Sequence, residues 1–166
     1  VILLPNNENI VAAAGQAAGA NSRIHLVPSR TVPQGVAALL AFNPEEPLER
    51  NLRAMREAVA SVVTIEVTRA MRSTTIGGVR VSAGHYLSLR DGQLSATGKT
   101  PEKALKAALA QVGLFKDQVV TLYRGADGQQ EDAEAVRRQL EEETPGIQVD
   151  LVYGGQPHYP YLASVE

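Results

Sequence analysis

Val27-Pro-Ser-Arg-Thr-Val-Pro-Gln-Gly-Val-Ala-Ala-Leu-Leu-Ala-Phe42 runs from an apolar strand through a polar turn into a small-residue helix, and the rest of the chain reads outward from it. Ile24, Leu26 and Val27 predict a short buried strand over Ser22 to Val27. Thr31-Val-Pro-Gln34 fits a capping box, in which the Thr31 hydroxyl accepts the Gln34 N–H and the Gln34 side chain returns to the Thr31 N–H. Pro33, which lacks an N–H and holds a helical φ, suits the first turn. Val36 to Phe42 is apolar nearly all round and predicts a helix buried on most sides. A helix N-terminus at the carboxyl end of a strand is where open α/β sheets gather free N–H groups around a ligand. The same residues also read as an ordinary capped helix.

Upstream, Ile2, Leu3 and Leu4 predict a strand, and Pro5-Asn-Asn-Glu-Asn9 caps a helix from about Glu8 to Ala18, closed by Gly19 or Asn21. Such a β-α-β unit is right-handed with parallel strands, which places the Asn6/Asn7 turn beside the Ser29 to Gln34 turn. Downstream, Asn43-Pro-Glu-Glu46 reads as a second helix start with Asn43 as cap, and Leu48, Leu52, Met55 and Val59 form one helical face. Val62 to Thr68 alternates with period two, as a half-exposed strand does. Ile76-Gly-Gly-Val79 and Arg90-Asp-Gly-Gln93 are hairpin turns. Thr100-Pro101 opens a helix that Gly113 closes. Asp117 to Tyr123, an acidic-led helix after Asp127-Gly128, and Ile147 to Tyr153 then form a second β-α-β unit. The fold class is α/β, with parallel β-α-β units at both ends and antiparallel hairpins in the middle.

The tail is unlike the rest. Tyr153, Tyr159 and Tyr161 are three of only five tyrosines in the chain, and they flank Gln156-Pro-His-Tyr-Pro160. This segment reads either as a partly exposed polar and aromatic contact surface or as a loop covering the sheet edge, with Leu162 to Val165 returning as a final strand. The net charge of −2 has no long single-sign run, so nucleic acid is not an implied partner. Cysteine is absent, which removes disulfides, thiolate nucleophiles and cysteine zinc sites. No apolar run reaches the roughly 18 residues of a membrane span, and a cytoplasmic location is expected. The strand at Val1 has no initiating methionine, as expected of a fragment of a longer polypeptide.

The known phosphate-loop, dinucleotide, nucleophile-elbow and zinc-protease motifs are all missing, and no catalytic or metal-binding constellation is assigned. Of the three histidines, His25 lies in a strand, His85 precedes a hairpin strand, and His158 is the candidate for a functional role. Arg69 and Arg72, among hydroxyl residues, are candidates for an anion, with surface ion pairs as the alternative.

Leu4-Pro-Asn-Asn7, Val27 to Pro44, Glu66-Val-Thr68 and Tyr153-Gly-Gly-Gln-Pro-His-Tyr-Pro-Tyr161 resemble, in order along the whole chain, the C-terminal domain of the ATP-binding subunit of bacterial fatty acid kinase. That subunit is also described as dihydroxyacetone-kinase-like or "Dak phosphatase". The resemblance implies a DegV-like two-lobed module over residues 1–166, with possible lobes at 1–71 and 72–166. It implies an accessory role without catalysis, in which ATP and magnesium bind upstream and the partners are the upstream kinase domains and the acyl-carrying subunit. Whether the module forms a homodimer stays open. In the acyl-carrying relatives, hydroxyl residues after an early strand and a His-x-Gly-Pro-Gly segment hold the fatty acid carboxylate. Here Ser29 and Thr31 keep the hydroxyls, while Gln156-Pro-His-Tyr-Pro160 stands where the second segment would be. The ligand- or partner-binding candidates are therefore Asn6, Asn7, Ser29, Thr31, Gln34, Gln156, His158, Tyr159 and Tyr161. The other readings are a small-molecule or fatty-acid-binding protein with its own interlobe cleft, and a hydrolase, for which the sequence offers no activated nucleophile.

Overall fold

The computed structural model, which describes residues 1–166, divides into two compact units, Val1–Val62 and Val63–Glu166. In the first unit β1 (Ile2–Leu3) lies parallel to β2 (His25–Leu26), in the register Ile2 to His25 and Leu3 to Leu26. The crossover between them is α1 (Glu8–Ala20), whose cap Asn7 accepts the Asn9 N–H at 2.9 Å. The helix runs two residues past Ala18 and is closed by Asn21, whose N–H reaches the Ala18 carbonyl. α2 (Val32–Leu40) and α3 (Leu48–Ser61) complete the unit. Its core is small: Val27, Ala38, Leu52 and Met55, with Ile2, Leu4 and Val59 against them.

Two expectations fail here. α2 is not buried on most sides. Pro33, Gly35, Ala37 and Ala38 face inward, whereas Leu39 and Leu40 are 61% and 81% exposed, because a nine-residue helix lying on a small core can cover only one of its sides. Asn43 does not cap α3, which begins at Leu48 after an uncapped Pro47. The Asn43 side chain instead accepts the Glu45 N–H at 3.0 Å, a turn that competes with the helix. Buried Asn51 then ties that turn down, donating to the Asn43 and Glu46 carbonyls at 2.8 and 3.0 Å and accepting the Asn43 N–H at 2.7 Å.

The second unit holds β3 (Val63–Arg69), β4 (Thr74–Ile76), β5 (Val79–Val81), β6 (Tyr86–Arg90), β7 (Gln93–Gly98), α4 (Pro101–Val112), β8 (Val119–Arg124), α5 (Gln130–Glu143), β9 (Gln148–Tyr153) and β10 (Tyr161–Val165). Six strands form one sheet in the order β7-β6-β3-β10-β8-β9, with only β8 and β9 parallel. α4 and α5 supply Ala104, Leu105, Ala108, Leu109, Val136 and Leu140 to the main core. β4 and β5 pair only with each other, above a smaller cluster of Ala70, Val81 and Leu87. Both expected hairpins turn through two positive φ angles, 57° and 82° at Gly77 and Gly78, and 49° and 82° at Asp91 and Gly92, the geometry that matches strand twist. The boundary between units falls at Val62/Val63 and not at residue 71, because β3 bonds to β6 and β10 and so belongs to the larger sheet. No helix is long and apolar enough to cross a membrane.

Replacing Asn51 with leucine keeps the side-chain volume but strips three backbone groups of their partner. A loss of about 2 kcal/mol is expected in urea titration followed by circular dichroism, and unchanged stability would contradict the assignment.

Candidate functional site

In the first unit the two polar turns meet through one residue pair. Ser29, fully buried, donates its hydroxyl to Asn6 Oδ1 at 2.6 Å and accepts the Asn6 N–H at 3.1 Å. A serine hydroxyl has one proton to donate, so that capacity is committed within the fold. Asn6 holds a left-handed φ of 54°, a conformation asparagine tolerates better than most residues. Its side chain lies where residue 35 has none: a Cβ on Gly35 would come within 2.0 Å of Asn6 Oδ1. Around this lock, the Gln34 N–H donates to Thr31 Oγ1 at 3.4 Å. Gln34 Oε1 accepts the Arg30 N–H at 2.8 Å, so the return arm of the capping box reaches the residue before the cap. An exposed Arg30–Glu8 ion pair at 3.8 Å spans the same two turns and contributes little. The sequence candidates Asn6, Asn7, Ser29, Thr31 and Gln34 thus share one edge, each with a bond inside the protein; Thr31 and Asn7 serve as helix caps.

In the second unit the tail loop, residues 154–160, is stapled to the end of the sheet. Gln156 Nε2 donates to the Tyr123 and Tyr159 carbonyls at 3.0 and 3.1 Å, occupying both of its protons. The Gly125 N–H donates to the Pro160 carbonyl at 2.9 Å, and a Cβ on Gly125 would sit 2.2 Å from the Tyr159 carbonyl oxygen. Thr68 Oγ1 donates to the His158 carbonyl at 3.1 Å, while the imidazole of His158 belongs to an exposed residue with a φ of 66°.

The expected contact surface of Tyr159 and Tyr161 needs correction. Tyr159 is partly exposed, but Tyr161 is wholly buried as the first residue of β10, in the main core. Its hydroxyl donates to Glu102 Oε1 at 3.2 Å. Burial pushes the Tyr161 phenol well above its ordinary range, and the Glu102 carboxylate that accepts its proton pushes it further. Tyr123 is raised as well, by burial first, with the Ser164 hydroxyl opposing and the Glu166 charge adding. Tyr153, on the exposed edge strand β9, stacks under Arg124 at 4.6 Å.

A hollow of about 410 Å³ at this end of the sheet brings Arg69 and His158 together, with Thr68, Tyr86, Pro101 and Asp127 among its walls. Arg69 also donates weakly to the Gly84 carbonyl at 3.4 Å. Arg72 does not line the hollow, and neither arginine takes part in the ion pairs Arg30–Glu8, Arg50–Glu46 and Arg90–Asp91. Thr68, Pro101 and Asp127 were legible only as ends of separate elements. Bringing them together requires the strand order β3-β10-β8, which local sequence does not carry. A second hollow, of about 590 Å³, lies between α4 and α5 beside Lys103, Lys106, Leu140 and Glu143 and contains none of the candidates. No group of three or more His, Cys, Asp or Glu side chains is placed to hold a metal ion.

Residues 1–166 match, over their full extent, the family model of FakA-like C-terminal domains of fatty acid kinase. The chain belongs to that family. Protein YloV of Bacillus subtilis is 37% identical over 167 residues, covering 100% of this chain and 30% of that protein. An uncharacterized protein of Staphylococcus haemolyticus is 34% identical over 167 residues, again covering 30% of its length. The chain therefore spans about 30% of the curated relatives it matches. Among solved structures, a DegV family protein from Corynebacterium glutamicum superposes with a TM-score of 0.66 at 15% identity, covering 99% of this chain and 74% of that one. The Streptococcus pneumoniae fatty acid kinase (Fak) B3 protein, loaded with linoleic acid, superposes at 0.64 with 11% identity, covering 99% and 70%. At such identities the likeness establishes a DegV-type mixed α/β fold.

Two outcomes follow from the site geometry. Gly35→Ala displaces the Asn6 side chain and should cost about 2 kcal/mol in thermal or chemical denaturation, more than the same change at exposed, unhindered Gly19. For Tyr161 the folded phenol titrates above the ordinary value of 10.0, so its contribution is complete below that pH and erodes as the pH rises beyond it. The stability advantage of wild type over Tyr161→Phe should therefore shrink between about pH 10 and 12, and a constant difference would contradict the burial of the phenol.

Proposed function

We propose that this chain is a non-catalytic accessory domain of a fatty acid kinase. In this reading it sits in the dihydroxyacetone-kinase-like ATP-binding subunit, in the cytoplasm, and helps that subunit engage the acyl-carrying subunit. ATP and magnesium are bound elsewhere in the same subunit. The observation that carries the reading is the family match over all 166 residues, in a segment that makes up about 30% of its relatives. The donor groups support it. A hydroxyl that is to hold a carboxylate must have its proton available, and the Ser29 proton already goes to Asn6. Both protons of the Gln156 amide likewise go to backbone carbonyls. A fold of the fatty-acid-binding type whose turn donors bond internally suits a scaffold for contacts better than a lipid carrier.

Incubated by itself with ATP, magnesium and the acyl-loaded carrier subunit, the chain should form no acyl phosphate, and mass spectrometry of the purified chain should find no retained fatty acid. Robust acyl-phosphate formation would overturn the non-catalytic assignment. A stoichiometric fatty acid would move the function to lipid binding.

A further inference from the structure

We propose that the β4–β5 hairpin, with the Arg69 to Arg72 turn at its base, is a docking surface for an acidic protein face. Within the accessory-domain reading, on which the choice of partner rests, that face belongs to the acyl-carrying subunit. The chain carries more acidic than basic residues overall, yet Arg69 through Arg90 contains four arginines and no aspartate or glutamate. The fold keeps this charge outside. Arg72 and Arg80 are exposed and belong to none of the chain's ion pairs at Arg30, Arg50 and Arg90. Thr75 faces Arg80 across the hairpin, and both are exposed, while the next pair, Thr74 and Val81, turns toward the small cluster of Ala70 and Leu87.

The hairpin also presents apolar area beside the charge. Met71 is 89% exposed and Val79 48% exposed. Methionine and arginine are the residue types enriched where protein interfaces form, and a desolvated apolar centre ringed by cations selects an acidic partner. β4 and β5 bond only to one another, so each leaves an unpaired backbone edge, the feature that an arriving segment can extend. Other polyanions fit less well. Nucleic-acid surfaces track many phosphates with a strongly basic face, and stable attachment to anionic lipid takes clusters of about 4–8 basic residues.

The test pairs the full-length ATP-binding subunit with the purified acyl-loaded carrier. Arg72→Glu/Arg80→Glu should weaken carrier binding by about tenfold or more, and the wild-type affinity should fall severalfold between about 50 and 200 mM salt. An Arg53→Glu/Arg138→Glu protein makes the same net-charge change on exposed positions of α3 and α5, and should bind within about twofold of wild type. Both variants should melt with the wild type. Equal binding by the hairpin variant and wild type overturns the docking surface while leaving the accessory reading standing. Failure of the wild-type protein to bind the carrier overturns both. Wild-type binding to phosphatidylserine vesicles that the hairpin variant loses would assign the hairpin to a membrane surface and overturn the proposal.

Discussion

Five consecutive buried residues, Tyr161 to Val165, hold the larger unit together. They form the strand β10, antiparallel to β3 on one side and to β8 on the other, and they alone join the antiparallel half of the sheet to the parallel pair β8 and β9. A central strand must satisfy its backbone groups on both edges, so both halves depend on its register. That requirement reaches the rim of the sheet as well. Because β10 starts with a buried tyrosine bonded to Glu102 at the first turn of α4, the residues before it are drawn across the ends of β3 and β8. There Gln156, Thr68 and the Gly125 N–H fasten them, and His158 comes to rest beside Arg69.

The smaller unit depends on a comparable fastening of turns. Ser29, Asn6 and the missing side chain of Gly35 form one interlock, in which hydroxyl, amide and bare Cα each fill a space the others leave. A polar turn at a helix N-terminus can serve a ligand or the fold, and the distinction lies in where its protons go. Here the Ser29 proton goes to Asn6, and the Gln34 N–H to Thr31. In both units the polar groups that sequence motifs single out are engaged in closing the chain on itself. What remains exposed is of another kind: apolar side chains of α2, and the cationic hairpin with Met71.

Much of this was legible in the sequence because the signals were local. Asn-Asn before an alanine-rich helix, Thr-Pro at the start of α4 with Gly113 at its end, and the Gly-Gly and Asp-Gly turns each specify their own backbone geometry within a few residues. The parallel ends and antiparallel middle followed from the order of those elements. Three features did not. The exposure of Leu39 and Leu40 depends on how little core lies under α2, the start of α3 on a bond from Asn51 made eight residues away, and the burial of Tyr161 on its two flanking strands. A tyrosine reads alike in a core and at an interface, since both use its area and its polar tip. The candidate residues were brought together in two separate groups, one in each unit, and the grouping of Arg69 with His158 required the strand order.

The central claim is that this domain serves the encounter between the two kinase subunits. The most direct measurement is the affinity of the acyl-carrying subunit for the full-length ATP-binding subunit, with and without the segment equivalent to residues 1–166, by calorimetry, with ATP binding measured in parallel. The account predicts that deletion weakens carrier binding by about tenfold or more while ATP affinity is retained. Carrier binding unchanged by the deletion would contradict it.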